Sequence, residues 1–175
     1  MATTWGSTPE ERARRFPCDG LIEADDELWR AIDVAAPAAT TFRWLCQLRA
    51  APYSYDWIDN WGRRSPRQLT DGLDQLAVGQ RAMTIFRLVA FEPGRHLTMR
   101  LVDPGGRRAF GDVAVTYEAV STGPSTSRIV VKMLVRRPRG PFRLLAPLLP
   151  AGDLIMMRKQ LRNLKALAEA SLRNP

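Results

Sequence analysis

The sequence predicts an α+β fold in which one antiparallel sheet is covered by a long C-terminal helix, and three observations carry that expectation. From Asp153 onward, Leu154, Met157, Leu161, Leu164, Ala168 and Leu172 recur at spacings of three and four residues, the period of one helical face. The other side of this segment carries Arg158, Lys159, Arg162, Lys165 and Glu169, so the helix is one-sided and must bury its apolar stripe. Between residues 80 and 136 several segments alternate apolar and polar side chains, the period of a half-buried strand. A terminal helix lying over an antiparallel sheet often encloses a cavity, so the pattern locates a ligand without naming it.

Element by element, Thr8, Pro9 and Glu11 form a helix start, with a capping hydroxyl, proline at the first helical position and a glutamate three residues after the cap. That helix ends by Pro17. Residues 28–35 are expected to form a strand, and Pro37 starts a helix on which Phe42, Leu45 and Leu48 share a face beside Trp44. The aromatic segment 51–61 (APYSYDWIDNW) reads as a short second helix ended by Gly62, followed by a polar connection that holds at most one short strand. Residues 80–90 and 95–102 form a hairpin around Phe91, Glu92, Pro93 and Gly94, which have turn chemistry. Its second arm points Leu97, Met99 and Leu101 one way and His96, Thr98 and Arg100 the other. After a turn at Pro104, Gly105 and Gly106, residues 110–119 turn Val113, Val115 and Tyr117 inward. Residues 128–136 do the same with Ile129, Val131, Met133 and Val135, leaving Arg128, Lys132 and Arg136 outside.

Composition narrows the function classes. A chain of 175 residues that is 45% hydrophobic can build one core without staples. Cys18 and Cys46 stand in no metal-type spacing and there is a single histidine, so no zinc site, other metal or cofactor is expected, and both cysteines read as reduced thiols. No stretch has the length of a signal peptide or membrane span, which makes the cytoplasm the expected location. The net charge of +8 raises the question of nucleic acid, but the 23 arginines against 3 lysines are spread from Arg12 to Arg173 with no recognition motif. The clusters Arg63, Arg64 and Arg67, then Arg107 and Arg108, then Arg136, Arg137, Arg139 and Arg143 read as solvated faces, and nucleic-acid binding is not expected.

The order of elements, with the run WLCQLRAAPYSYDWIDNWGRRSPRQL at 44–69 and the later LAVGQ (76–80), FEPGRHL (91–97) and GDLIMMRKQL (152–161), resembles the START-like superfamily of polyketide cyclase/dehydrase and lipid-transport proteins, and within it a group of actinobacterial members. The resemblance spans about residues 28–172. It implies a helix-grip domain at 28–175, a curved antiparallel sheet packed around the long C-terminal helix, preceded by an N-terminal arm with a short helix at 1–27. It also implies an apolar cavity, for which position nominates Tyr53, Tyr55, Trp57, Phe86, Met99, Tyr117, Met133, Met156 and Met157. Thioethers and aromatic rings suit an irregular apolar ligand, while the same residues also suit a filled core.

The expected function is therefore to hold a small hydrophobic molecule, a lipid, isoprenoid or polyketide-like compound, as a carrier or accessory protein. A cyclase or dehydratase is the enzymatic alternative, and an interaction module with a filled interior the third. Catalytic candidates are few. His96 falls on the polar face and reads as a surface residue, so Ser-His and Cys-His pairs are not available. Asp56 and Asp59, three apart beside Tyr53, Tyr55 and Trp57, form a carboxylate pair whose apolar walls would raise a pKa; their bland reading is a helix cap and ion pair. Tyr117 is placed to orient a ligand oxygen or to bond a backbone group. The run 136–150 joins Arg136, Arg137, Arg139 and Arg143 to proline-broken leucines, a lip suited to weak contact with anionic membrane.

Overall fold

A computed structural model of the chain describes residues 3–55, 64–140 and 148–173. In chain order the elements are β1 (Thr4–Trp5), α1 (Pro9–Ala13), β2 (Asp26–Val34), α2 (Ala38–Cys46) with a 3-10 turn at Gln47–Arg49, β3 (Arg81–Ala82), β4 (Phe86–Glu92), β5 (His96–Leu101), α3 (Pro104–Phe110), β6 (Asp112–Gly123), β7 (Thr126–Arg136) and α4 (Leu149–Ala170). The strands form one curved, unclosed sheet in the order β1-β2-β7-β6-β5-β4-β3. Its pairings are antiparallel except for β1 on β2. The long connection from α2 to β3 lets β2 leave the sequential meander and pair with β7 from Asp26↔Val135 to Val34↔Ser127.

Alternation decides which face is the core. Leu97, Met99, Val115, Tyr117, Ile129 and Val131 turn to the concave face, where they meet Phe42, Trp44, Leu45 and Leu48 near α2 and Met157, Leu161, Leu164 and Ala168 of α4 in one cluster. Burial of side chains this size contributes about 1.5–3 kcal/mol each, enough to fix the helix on the sheet. Trp44 Nε1 donates to Ser171 Oγ at 2.8 Å, and the Thr41 and Ser127 hydroxyls meet at 2.7 Å, tying α2 to the end of α4 and to β7. The capping box of α1 forms as expected, with Glu11 N–H on Thr8 Oγ1 and Thr8 N–H on the Glu11 carboxylate.

Several local expectations are corrected. Where a turn was expected after β5, α3 forms, because Asp103 caps Gly106 N–H and Pro104 occupies the first turn. Residues 51–55, expected to begin a second helix, are irregular: Tyr53 takes the left-handed conformation (φ 57), which ends a right-handed helix. The rest of that expected helix and its closing Gly62 lie outside the described residues. The first arm of the hairpin is divided between β3 and β4, since Met83 and Thr84 both have positive φ. Helix α4 begins at Leu149 rather than Asp153, with proline in its first turn, and ends before Leu172, which is 49% exposed.

The outward face of the sheet is also not the solvated surface expected. Phe16 and Cys18 of the N-terminal arm pack on Trp29, Ala31, Ala114, Val130 and Leu134, with Phe16 set edge-on to Trp29 at 5.2 Å. Thr98, Thr116, Glu118 and Lys132 are buried beneath or beside it, with Glu118 bound to Arg14 at 3.0 Å and Lys132 to Asp19 at 2.6 Å. His96 points to this face as expected but is buried rather than exposed. An arm held by a few unevenly spaced apolar residues, Phe16, Cys18 and the partly buried Ile22, has no periodic signature, so its cover could not be anticipated.

Candidate ligand site beneath the C-terminal helix

A row of register partners crosses the concave face: Arg30 opposite Val131, Val131 opposite Tyr117, Tyr117 opposite Leu97, and Leu97 opposite Phe91. Partners in a ladder share a face, so this row sets a guanidinium and a phenol on the apolar side of the sheet, and α4 lies over both. Its buried stripe contains one polar residue, Gln160, among Met157, Leu161, Leu164 and Ala168.

Tyr117 is fully buried. Its hydroxyl donates to Gln160 Oε1 at 2.8 Å, with Met157 Sδ at 3.5 Å and Met83 Sδ at 3.7 Å. Gln160 Nε2 donates in turn to the Pro52 carbonyl at 2.6 Å. The amide thereby joins the sheet to the segment after α2. Burial, then the Asp153 carboxylate, push the phenol far above its usual range, against the Gln160 hydrogen bond; it acts as a neutral donor. Three residues along the helix from Gln160, Asn163 Nδ2 donates to the Tyr53 carbonyl at 2.8 Å, and Tyr53 stands edge-on to Trp44.

At the other end of the row Arg30, 1% exposed, donates from Nη1 to the carbonyls of Thr3 and Trp29 (2.8 and 2.9 Å) and from Nη2 to Asp153 Oδ2 at 2.7 Å. Burial pushes the Asp153 carboxyl up to about 6, against the pull of Arg30. A carboxyl poised there exchanges a proton near neutral pH. The thiols do not: burial pushes Cys46 up to about 12 and raises Cys18, which leaves almost no nucleophilic thiolate. Burial also lowers the pKa of His96.

Of the residues nominated from the sequence, Tyr53, Met99, Tyr117 and Met157 lie in the core cluster, and Phe86 and Met133 pack against it partly buried. Tyr55 and Met156 are half-buried. Trp57, Asp56, Asp59 and Arg143 lie outside the described residues. Tyr117 bonds a side chain, not the backbone group expected. Sequence reasoning missed Arg30 and Gln160, and took Asp153 only as a helix start. The signals were present: Arg30 interrupts the inward series Leu28, Ile32, Val34, and Gln160 falls on the same helical face as Met157 and Leu164. Two surface pockets lie elsewhere. One, of about 530 Å³, is lined by Asp19, Glu27 and Lys132 between the arm and the sheet, and the other is basic.

The family model described as polyketide cyclase / dehydrase and lipid transport matches residues 27–169, spanning the row, the helix and everything between. The chain belongs to this family. Among solved structures, this family member is similar to a Mesorhizobium loti protein (TM-score 0.53, 17% identity, 83% of this chain and 98% of that one). It is similar also to a Thermobifida fusca protein (TM-score 0.51, 18% identity, 84% and 93%). A third is the di-domain ARO/CYC BexL of the BE-7585A biosynthetic pathway (TM-score 0.51, 14% identity, 85% of this chain); the chain spans 48% of that di-domain protein. At these identities the likeness is one of fold: a polyketide cyclase/dehydrase-like helix-grip architecture. No curated protein matches the sequence. Among the described residues, no helix is long and apolar enough to cross a membrane.

Proposed function

We propose that this family member binds a small hydrophobic molecule, lipid, isoprenoid or polyketide-like, between α4 and the concave face of the sheet, as a carrier or accessory protein. The observation that carries this reading is the composition of the contact around Tyr117. Two thioethers, Met83 and Met157, and one hydrogen-bonded amide meet the phenol. Thioethers repack at low cost, so a ligand can displace them, and the Tyr117–Gln160 couple then offers one donor and one acceptor to fix its orientation. Desolvation of the apolar ligand supplies the affinity. The fold family, which joins cyclases, dehydrases and lipid carriers under one model, supports the same ligand class.

A second reading, an enzyme acting on a polyketide-like substrate, is favoured by one observation: Asp153, with its pKa pushed up to about 6, is close enough to Tyr117 to act on its ionisation. An acid–base group beside a neutral phenol donor suits proton transfer at a carbonyl-bearing substrate. Native mass spectrometry of the full chain, purified without detergent and then offered fatty acids and polycyclic aromatics, separates the readings. A carrier retains one added organic mass unchanged. An enzyme converts it and loses turnover in Asp153→Asn. An interaction module with a filled interior keeps the bare chain mass at every ligand concentration, which would refute the proposal.

A further inference from the structure

Two arginine clusters that are separate in the sequence meet around a surface pocket of about 460 Å³ where β6 begins and β7 stops. Arg107 and Arg108 come from α3, Arg136 is the last residue of β7, and Arg137 and Arg139 follow it in the segment beyond the strand. Asp112 and Arg136 are register partners, and Gly111 before them has φ +85. A Cβ there would stand 1.8 Å from the Arg136 carbonyl oxygen, so only glycine lets α3 abut β7 and bring the clusters together.

Asp112 is the one carboxylate among the described residues lining the pocket, and it is shared by Arg100 at 2.8 Å and Arg107 at 3.4 Å. Arg137 is engaged by both Asp26 oxygens at 2.8 Å, while Arg136 reaches the 90% exposed Glu23 only at 3.6 Å. Arg108 and Arg139 form no ion pair with a described residue. Guanidinium forks match phosphate oxygens in pairs and keep their charge at any physiological pH. A concave basic wall concentrates the field, and the volume falls in the range of about 300–1,000 Å³ typical of small-molecule sites.

We propose that this pocket binds a phosphoryl group, carried either by a small phosphorylated molecule or by a phospholipid headgroup. It shares no residue with the site around Tyr117, so either assignment can fail alone. The test is calorimetric titration of the full chain with inorganic pyrophosphate, together with cosedimentation on phosphatidylcholine vesicles with and without phosphatidic acid. Both are repeated at low and physiological ionic strength, with the surface variant Arg108→Ala/Arg139→Ala and the distant control Arg95→Ala. The expected result is saturable binding that the double variant weakens about tenfold or more and the control leaves unchanged. Such binding to pyrophosphate identifies a free phosphorylated ligand, and to phosphatidic acid vesicles a headgroup. Binding to neither, or binding insensitive to the double variant or equally reduced by the control, overturns the assignment.

Discussion

Asp153 Oδ2 lies 2.7 Å from Arg30 Nη2, joining the N-terminal part of the closing helix, just past its first turn, to the buried face of β2. Burial raises this carboxyl from 3.8 to about 6, so the folded chain holds the proton more tightly than the unfolded one. The sign follows: the contribution to stability is complete below about pH 4 and is lost as pH rises through about 6. Its size is at most about 3 kcal/mol. Urea unfolding of wild type and Asp153→Asn between pH 4 and 7.5 should show a difference that shifts against the wild type as pH rises. A pH-independent difference would contradict the assignment.

Tyr117→Phe removes the donor to Gln160 Oε1 and leaves a buried acceptor without it. The expected cost is about 1–3 kcal/mol, read as a lower urea midpoint at unchanged slope, with weaker binding of ligands that carry a carbonyl or hydroxyl and little change for pure hydrocarbons.

Phe16→Ala tests the cover over the outer face. Phe16 is 3% exposed and set against Trp29, so its loss should cost about 3–5 kcal/mol and lower the thermal midpoint. The concave cluster contains neither residue, and ligand binding should survive where the variant remains folded.

Gly111→Ala combines a left-handed φ with a backbone clash against the Arg136 carbonyl. Destabilisation of about 2 kcal/mol or more is expected. Circular dichroism melting checks it against Gly20→Ala, which also has positive φ but meets nothing within 4 Å.

Legibility in the sequence followed the length of the pattern. The strands β5, β6 and β7 and the helix α4 repeat their period over many residues, and the inward sets read from them form the core, apart from Leu154 and Leu172 at the two ends of the helical stripe. The short helix α3 offered only Asp103 and Pro104 as signals, and the two glycines after them argued for a turn. Arg30 and Gln160 violate the pattern of their own elements, and a lone polar residue on an apolar face shows its reason only when the fold supplies the partner: Asp153 lies 123 positions from Arg30, and Pro52 lies 108 from Gln160. The convergence of the arginine clusters depends likewise on the β6–β7 register and the close approach at Gly111, neither of which local composition reveals.

Methyl-detected NMR of methionine-labelled protein reads ligand entry beneath α4 at the site itself, because Met83, Met99 and Met157 all belong to the layer between helix and sheet. On titration with a saturated fatty acid or a polycyclic aromatic, these methyl resonances should shift together and saturate at one ligand per chain. Resonances that stay fixed up to the solubility limit of both probes would contradict it.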